Sequence, residues 1–201
     1  MKRLCILQIL NIWRLVPAYI CILTSPKELK YLVIDELNHW KKCDQRKEKS
    51  QFSVFCGLML ERKEYRSLLH YRFNQRGLRK VILKFLFPSM ETLYISTPKI
   101  GPRLYIQHGF STMISAKSIG SDCWINQQVT IGYTFANEPP VIGNGVRISA
   151  GAKVVGDITI GDNVIIAANA AVVKNVPENA VVGGVPAKII GENIEHKLYK
   201  K

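Results

Sequence analysis

The sequence predicts an α+β chain in two parts: a helical first half, then a second half wound as a solenoid of short parallel strands. Three observations predict it. From residue 100 onward an aliphatic or Met residue returns at every sixth position, most regularly at Ile142, Ile148, Val154, Ile160, Ile166 and Val172. That period matches neither a 3.6-residue helix nor a long two-periodic strand, and it suits a coil in which each hexad makes one strand and one corner. The first half lacks the period and shows apolar stripes at helical spacing instead. Charge divides at the same place, since residues 1–99 hold 19 Lys and Arg against 8 Asp and Glu, while residues 100–201 hold 9 against 7.

In the first half, residues 4–23 are apolar enough to raise a membrane question. As a spanning helix the segment would set Arg14 near mid-bilayer, at a cost of about 2.5–3.5 kcal/mol, and Pro17 adds to the difficulty. Gln8, Asn11 and Arg14 fall on one helical stripe, which describes an interfacial helix lying on a membrane with basic residues for anionic lipid. A helix packed on the protein, or a spanning or signal segment, are the other readings. Ser25-Pro26-Lys27-Glu28 reads as a capping-box start, followed by the apolar stripe Leu29, Val33, Leu37 and Trp40. A second helix is expected across 51–72, and the run 81–88 is short and strongly apolar.

The second half begins with hexads at Ile100 and Ile106, continues at Met113, Ile119, Ile125 and Ile131, and resumes at Ile142. Three hexads close a coil, so these starts predict about four coils. The register breaks twice. Between Ile106 and Met113 the spacing is seven, and the irregular hexad holds His108 and Gly109. Between Ile131 and Ile142 it is eleven, so the stretch GYTFANEPPV must leave the coil as a loop, and loops on rigid scaffolds tend to carry function. The domain boundaries follow: a basic helical region over 1–92, the repeat domain over 93–191 and a basic tail over 192–201.

Composition excludes several classes. Five scattered cysteines without a CxxC pair point to a reducing compartment and no structural zinc. The near-neutral repeat half offers no aromatic stacking platform for nucleic acid. Neither a P-loop nor a usable GxGxxG follows a strand, so nucleotide hydrolysis and dinucleotide binding are poorly supported. His39, His70 and His196 read as incidental helical or tail histidines.

The segments IGPRLYIQHG, SIGSDCWINQQVTIG, VIGNGVRISAGAKVVGDITIGDNVII and VVGGVPAKIIG, in that order, resemble the catalytic domain of serine acetyltransferases, within the hexapeptide-repeat acyltransferases. The resemblance implies a left-handed parallel β-helix, a homotrimer, and acetyl-CoA as co-substrate bound between neighbouring prisms, with no metal. It assigns the role of general base to His108; an imidazole with a pKa near 6.5 can take the proton of an attacking hydroxyl near neutral pH. It places the cofactor at Ala150, Gly151, Ala168, Gly184 and Lys188. Gly109 is expected to supply the bend that turns the His108 ring toward a neighbour.

The chain also departs from that family's pattern. Gln107 stands where the family has Asp, and Glu138-Pro139 stand where it has an Arg-His pair. The aspartate that orients the histidine aligns with Leu93. The RLVPAYI and EYRSLLHYR segments look like those of serine-acetyltransferase-like enzymes of surface polysaccharide synthesis. The expected activity is therefore acetyl transfer to a sugar hydroxyl of a surface polysaccharide or its precursor, with Gln107, Tyr133, Asn137 and Glu138 as acceptor contacts. The alternatives are serine O-acetylation for cysteine synthesis and an inactive structural solenoid. The expected location is cytoplasmic, peripheral on the inner face of the membrane.

Overall fold

A computed structural model describes residues 2–48, 50–73, 77–134 and 138–193, with side chains from residue 6 onward. The chain forms two compact units, residues 1–91 and 92–201.

Among its described residues the first unit holds six helices: α1 (Lys2–Leu10), α2 (Ile12–Leu23), α3 (Lys27–Cys43), α4 (Gln51–Glu61), α5 (Lys63–Arg72) and α6 (Gly77–Leu86). Trp40, Phe55, Leu58, Tyr65, Leu68 and Phe73 fill its core. The apolar segment 4–23 is broken at Asn11, whose side-chain amide donates to the Leu7 carbonyl. α2 buries Leu15, Ala18 and Ile22 against this core. The capping box before α3 does not form. Pro26 occupies the cap position, and the Ser25 hydroxyl instead donates to the Cys21 carbonyl at 2.6 Å. The helix expected over 51–72 is two helices, because Arg62 takes an extended conformation (φ −114°, ψ 95°) and binds Asp44 through Nε and Nη2. Glu36 is buried and is satisfied by the guanidinium of Arg72. No described helix is long and apolar enough to cross a membrane.

The second unit is a parallel β-solenoid of about five turns. In chain order its strands are β1 (Leu93–Ile95), β2 (Tyr105–Ile106), β3 (Thr112–Ile114), β4 (Ser118–Ile119), β5 (Trp124–Ile125), β6 (Thr130–Gly132) and β7 (Val141–Ile142). They continue as β8 (Arg147–Ile148), β9 (Lys153–Val155), β10 (Thr159–Ile160), β11 (Ile165–Ile166), β12 (Ala171–Val172), β13 (Ala180–Gly183) and β14 (Lys188–Glu192). Sheet A stacks β1-β3-β6-β9-β12, sheet B stacks β4-β7-β10, and sheet C stacks β2-β5-β8-β11-β13, with β14 antiparallel at its end. Isolated bridges at Ile100 and Val176 extend sheet B in both directions. The fifth turn, beyond the four expected, comes from β1 below the first hexad and the strand segments past Val172.

The hexad positions point inward and are buried, with one exception. Met113 is an outward residue, 45 % exposed, and Ile114 takes the inward place beside Ile131. The break in register therefore spans Ile106 to Ile114. Of the eleven-residue interval before Ile142, the described part leaves the ladder after Gly132 and rejoins it at Pro140, whose carbonyl accepts from the Lys117 amide.

Candidate active site

Backbone hydrogen bonds between successive turns show what the register break contains. On sheet C the amides of Gln107, Asn126, Ser149 and Ala167 each donate to the turn above, to Ile125, Ile148, Ile166 and Val182, so these four residues align. Around the corner the amides of Gln128, Gly151 and Asn169 donate downward to Phe110, Gln127 and Ala150. Phe110, Gln127 and Ala150 therefore occupy equivalent places. Every other turn passes from the first row to the second in one step; the turn at Gln107 takes three. His108 and Gly109 are a two-residue insertion at the edge between sheets C and A.

The bend of that insertion lies at the histidine, contrary to the expectation for Gly109. His108 itself is left-handed, at φ +57°, and Gly109 is not. The other left-handed residues of the solenoid fall largely into two corner columns, Arg103-Asp122-Gly145-Asn163-Asn179 and Ser111-Gln128-Gly151-Asn169. His108 belongs to neither. The turn is closed by the Phe110 amide donating to the His108 carbonyl, and the imidazole is exposed.

Further residues named from the sequence lie along this same edge. Ala150 and Gly151, Ala168, and Gly184 follow His108 in later turns, and Lys188 pairs with Gly183 across β13 and β14. Turns are about 4.8 Å apart, so Ala150 stands roughly 10 Å along the edge from His108. Gly151 is left-handed (φ +75°), and a Cβ there would collide with the Asn169 side-chain oxygen. Ala168, Gly184 and Lys188 are exposed.

A cleft of about 330 Å³ opens on the outer face of sheet C beside the insertion, lined by Gln107, Trp124, Asn126, Arg147, Ser149 and Ile165. Gln107 Oε1 accepts from the Trp124 indole nitrogen at 3.3 Å, and Tyr105 packs edge-on against the same indole at 4.6 Å. The sequence reading named only Gln107 of this set. The other residues come from turns about twenty positions apart, and the only advance signal was an outward Trp in a short strand beside the histidine turn.

Tyr133 and Glu138 do not join His108 within one chain. Tyr133 follows β6 at the far end of sheet A, and Glu138 forms a 2.5 Å ion pair with Lys117 just before β4. Both lie at the edge between sheets A and B, one strand length from the edge that holds His108. Lys117 holds the Glu138 carboxyl below its usual range by hydrogen bond and charge, so that group is engaged and ionised. Asn137 lies outside the described residues. Cys123 offers no nucleophile, because burial pushes its thiol up to about 12 and its Sγ is turned onto the Gly143 carbonyl. Among the described residues no cluster of His, Cys, Asp or Glu suits a metal ion.

Residues 139–174 match the family model for bacterial transferase hexapeptide, six repeats. The serine acetyltransferase of Staphylococcus aureus is 42 % identical over 99 residues, which are 47 % of this chain and 46 % of that one. The chain thus spans about half the length of the curated relatives it matches. The crystal structure of serine acetyltransferase from Brucella abortus superposes with a TM-score of 0.67 at 27 % identity, covering 87 % of this chain and 74 % of that one. The structure of the Brucella enzyme in complex with coenzyme A superposes at 0.62 and 26 % identity, covering 87 % and 72 %.

Proposed function

We propose, from the premise that the repeat half of this chain is that of a serine acetyltransferase-like hexapeptide-repeat protein, that it moves an acetyl group from acetyl-CoA to a hydroxyl. The observation that carries the reading is the insertion at His108, set on the same edge as the small residues Ala150, Gly151, Ala168 and Gly184. These small side chains leave that edge open for an extended thiol arm, and Lys188 can meet a phosphate of the cofactor. His108 acts as general base. Its ring takes the hydroxyl proton as the oxygen attacks the thioester carbonyl, the C–S bond breaks, and the proton passes to the departing thiol. The acetyl group goes directly to the acceptor oxygen, without an acyl-enzyme.

For the acceptor, the relatives favour L-serine over the surface polysaccharide expected from the sequence. Every relative and neighbour reported above is a serine acetyltransferase, and none acts by its name on a glycan. Arg147 lines the cleft beside Gln107 and is a cation that a carboxylate bound there could meet. A neutral sugar hydroxyl is the second reading. It rests on Gln107, which puts an uncharged amide bound to Trp124 where the resembled family has an ammonium-binding aspartate.

The subunits are proposed to form a trimer, so that the His108 edge of one faces the Tyr133–Glu138 edge of the next. The test is release of thiol from acetyl-CoA by the purified full chain, with L-serine and with a panel of hexoses and amino sugars. L-serine is expected to support release, and His108→Ala to remove more than about 99 % of it, since general base catalysis contributes 10²–10⁴-fold. Release with sugars alone would assign the second reading. Release with neither acceptor would overturn acetyl transfer.

A further inference from the structure

The helical unit carries an apolar surface that no part of the proposed chemistry uses. α2 and α6 pack side by side and antiparallel: Arg14 reaches the Leu86 carbonyl at one end, and Arg79 reaches the Thr24 carbonyl at the other. Each helix turns one stripe into the core and leaves the opposite stripe outside. Trp13 and Ile20 on α2 are 66 % and 50 % exposed, and Leu78, Val81 and Phe85 on α6 are 74 %, 62 % and 83 % exposed. Leu10, at the end of α1, continues the surface. Spacings of three, four and seven place these residues on one side of each helix. An apolar stripe of this extent marks an interaction site.

The charges beside it identify the partner. None of α1, α2 and α6 contains an acidic residue; on α6, Lys84 is exposed at the flank of the Val81–Phe85 stripe, while Arg79 and Lys80 are half-buried and Arg79 donates to the Thr24 carbonyl. Arg14 is not part of the outer face: its guanidinium lies 4.7 Å from the Phe87 ring centre, turned inward. A second copy of this acid-free face would offer Lys84 no opposite charge, whereas a negatively charged bilayer attracts it. The apolar stripes are the part that enters the headgroup boundary, and an indole such as Trp13 suits that depth.

We infer that the outer face of α1, α2 and α6 seats on an anionic lipid surface, lying in the interface without crossing it. Flotation of the full chain with vesicles of phosphatidylcholine alone, and with about 30 % phosphatidylglycerol added, tests this. Binding is expected only to the anionic vesicles, to weaken in about 0.5 M salt, and to shift Trp emission to the blue in the wild type but not in Trp13→Phe. Val81→Glu with Phe85→Glu should lower the bound fraction about tenfold or more, and Lys84→Glu should lower it on anionic vesicles while keeping the apolar stripe. Equal binding to neutral and anionic vesicles, no binding, or unchanged binding by the double variant would overturn the inference. So would a fall in molar mass of the double variant by light scattering without lipid, which would make the face a subunit interface.

Discussion

His108 keeps a left-handed backbone where Asn163, Asn169 and Asn179 keep theirs at ordinary corners. Asparagine adopts that region readily because its short side chain bonds locally; a bulkier residue there costs on the order of 1–3 kcal/mol. The turn around it is short and held on both sides by ladder bonds, at Gln107 and at Gln128, so the strained residue is over-determined by the regular turns flanking it. The turn presents an exposed imidazole at the edge between sheets C and A. His70 is the opposite case. It is packed in the helical unit, its Nε2 meets no partner among the described residues, and burial, followed by the nearby charge of Lys84, lowers its pKa. A histidine lowered in the folded state binds its proton more readily when unfolded. Its stabilising contribution is complete above the ordinary value near 6.5 and is lost as pH falls below that toward the lowered folded value. The melting temperature of the wild type should therefore fall more steeply from pH 7 to pH 5 than that of His70→Gln. Parallel slopes would remove His70 as the cause.

At the scale of the element, the recurring Ile-Gly of the hexads has a steric origin. Gly101, Gly120, Gly143 and Gly161 each follow an inward isoleucine at the entry to the same corner. A Cβ on Gly161 would stand 2.5 Å from the Glu178 amide nitrogen, and one on Gly120 would stand 2.6 Å from the Gly143 carbonyl oxygen. Neither neighbour is a flexible side chain, so the turns themselves would have to part. Gly161→Ala is expected to lower stability by about 1–3 kcal/mol, read as a fall in melting temperature, with helix content unchanged. An unaltered melting temperature would mean the corner relaxes freely. This periodic part was legible in the sequence because inward positions are apolar and the interval is constant. At β3 the same pattern sets the inward residue one position early. Thr112 is inward and buried, satisfying its hydroxyl on the Phe110 carbonyl, while the apolar Met113 faces out. A pattern of apolar residues cannot see a buried threonine. Nor can it see the cleft, whose walls come from separate turns and meet only when the coil is stacked.

Across the whole molecule the two candidate edges are separated by the width of sheet A, and this separation makes a testable statement about assembly. His108 stands at the entry of β3, and Tyr133 and the Lys117–Glu138 pair stand past the exits of β6 and β3. A three-residue strand spans about 10 Å, too far for one small acceptor to touch both edges of a single chain. In the proposed closed ring of three, each groove would instead take its histidine from one subunit and its loop from the next. Two defective chains should then complement each other. On the proposed mechanism and trimer, His108→Ala would remove the base from every groove, and Tyr133→Ala with Glu138→Ala would weaken the loop side of every groove. When the two are unfolded together in equal amounts and reassembled, about one groove in four receives an intact histidine edge and an intact loop edge by random association. Acetyl transfer should accordingly rise to roughly a quarter of the wild-type rate per subunit, well above either parent. Mixing the folded trimers without exchange should give no gain. If co-assembled mixtures, verified by mass, show only the average of the two parents, then each groove is built within one chain and the loop has no part in the neighbour's site.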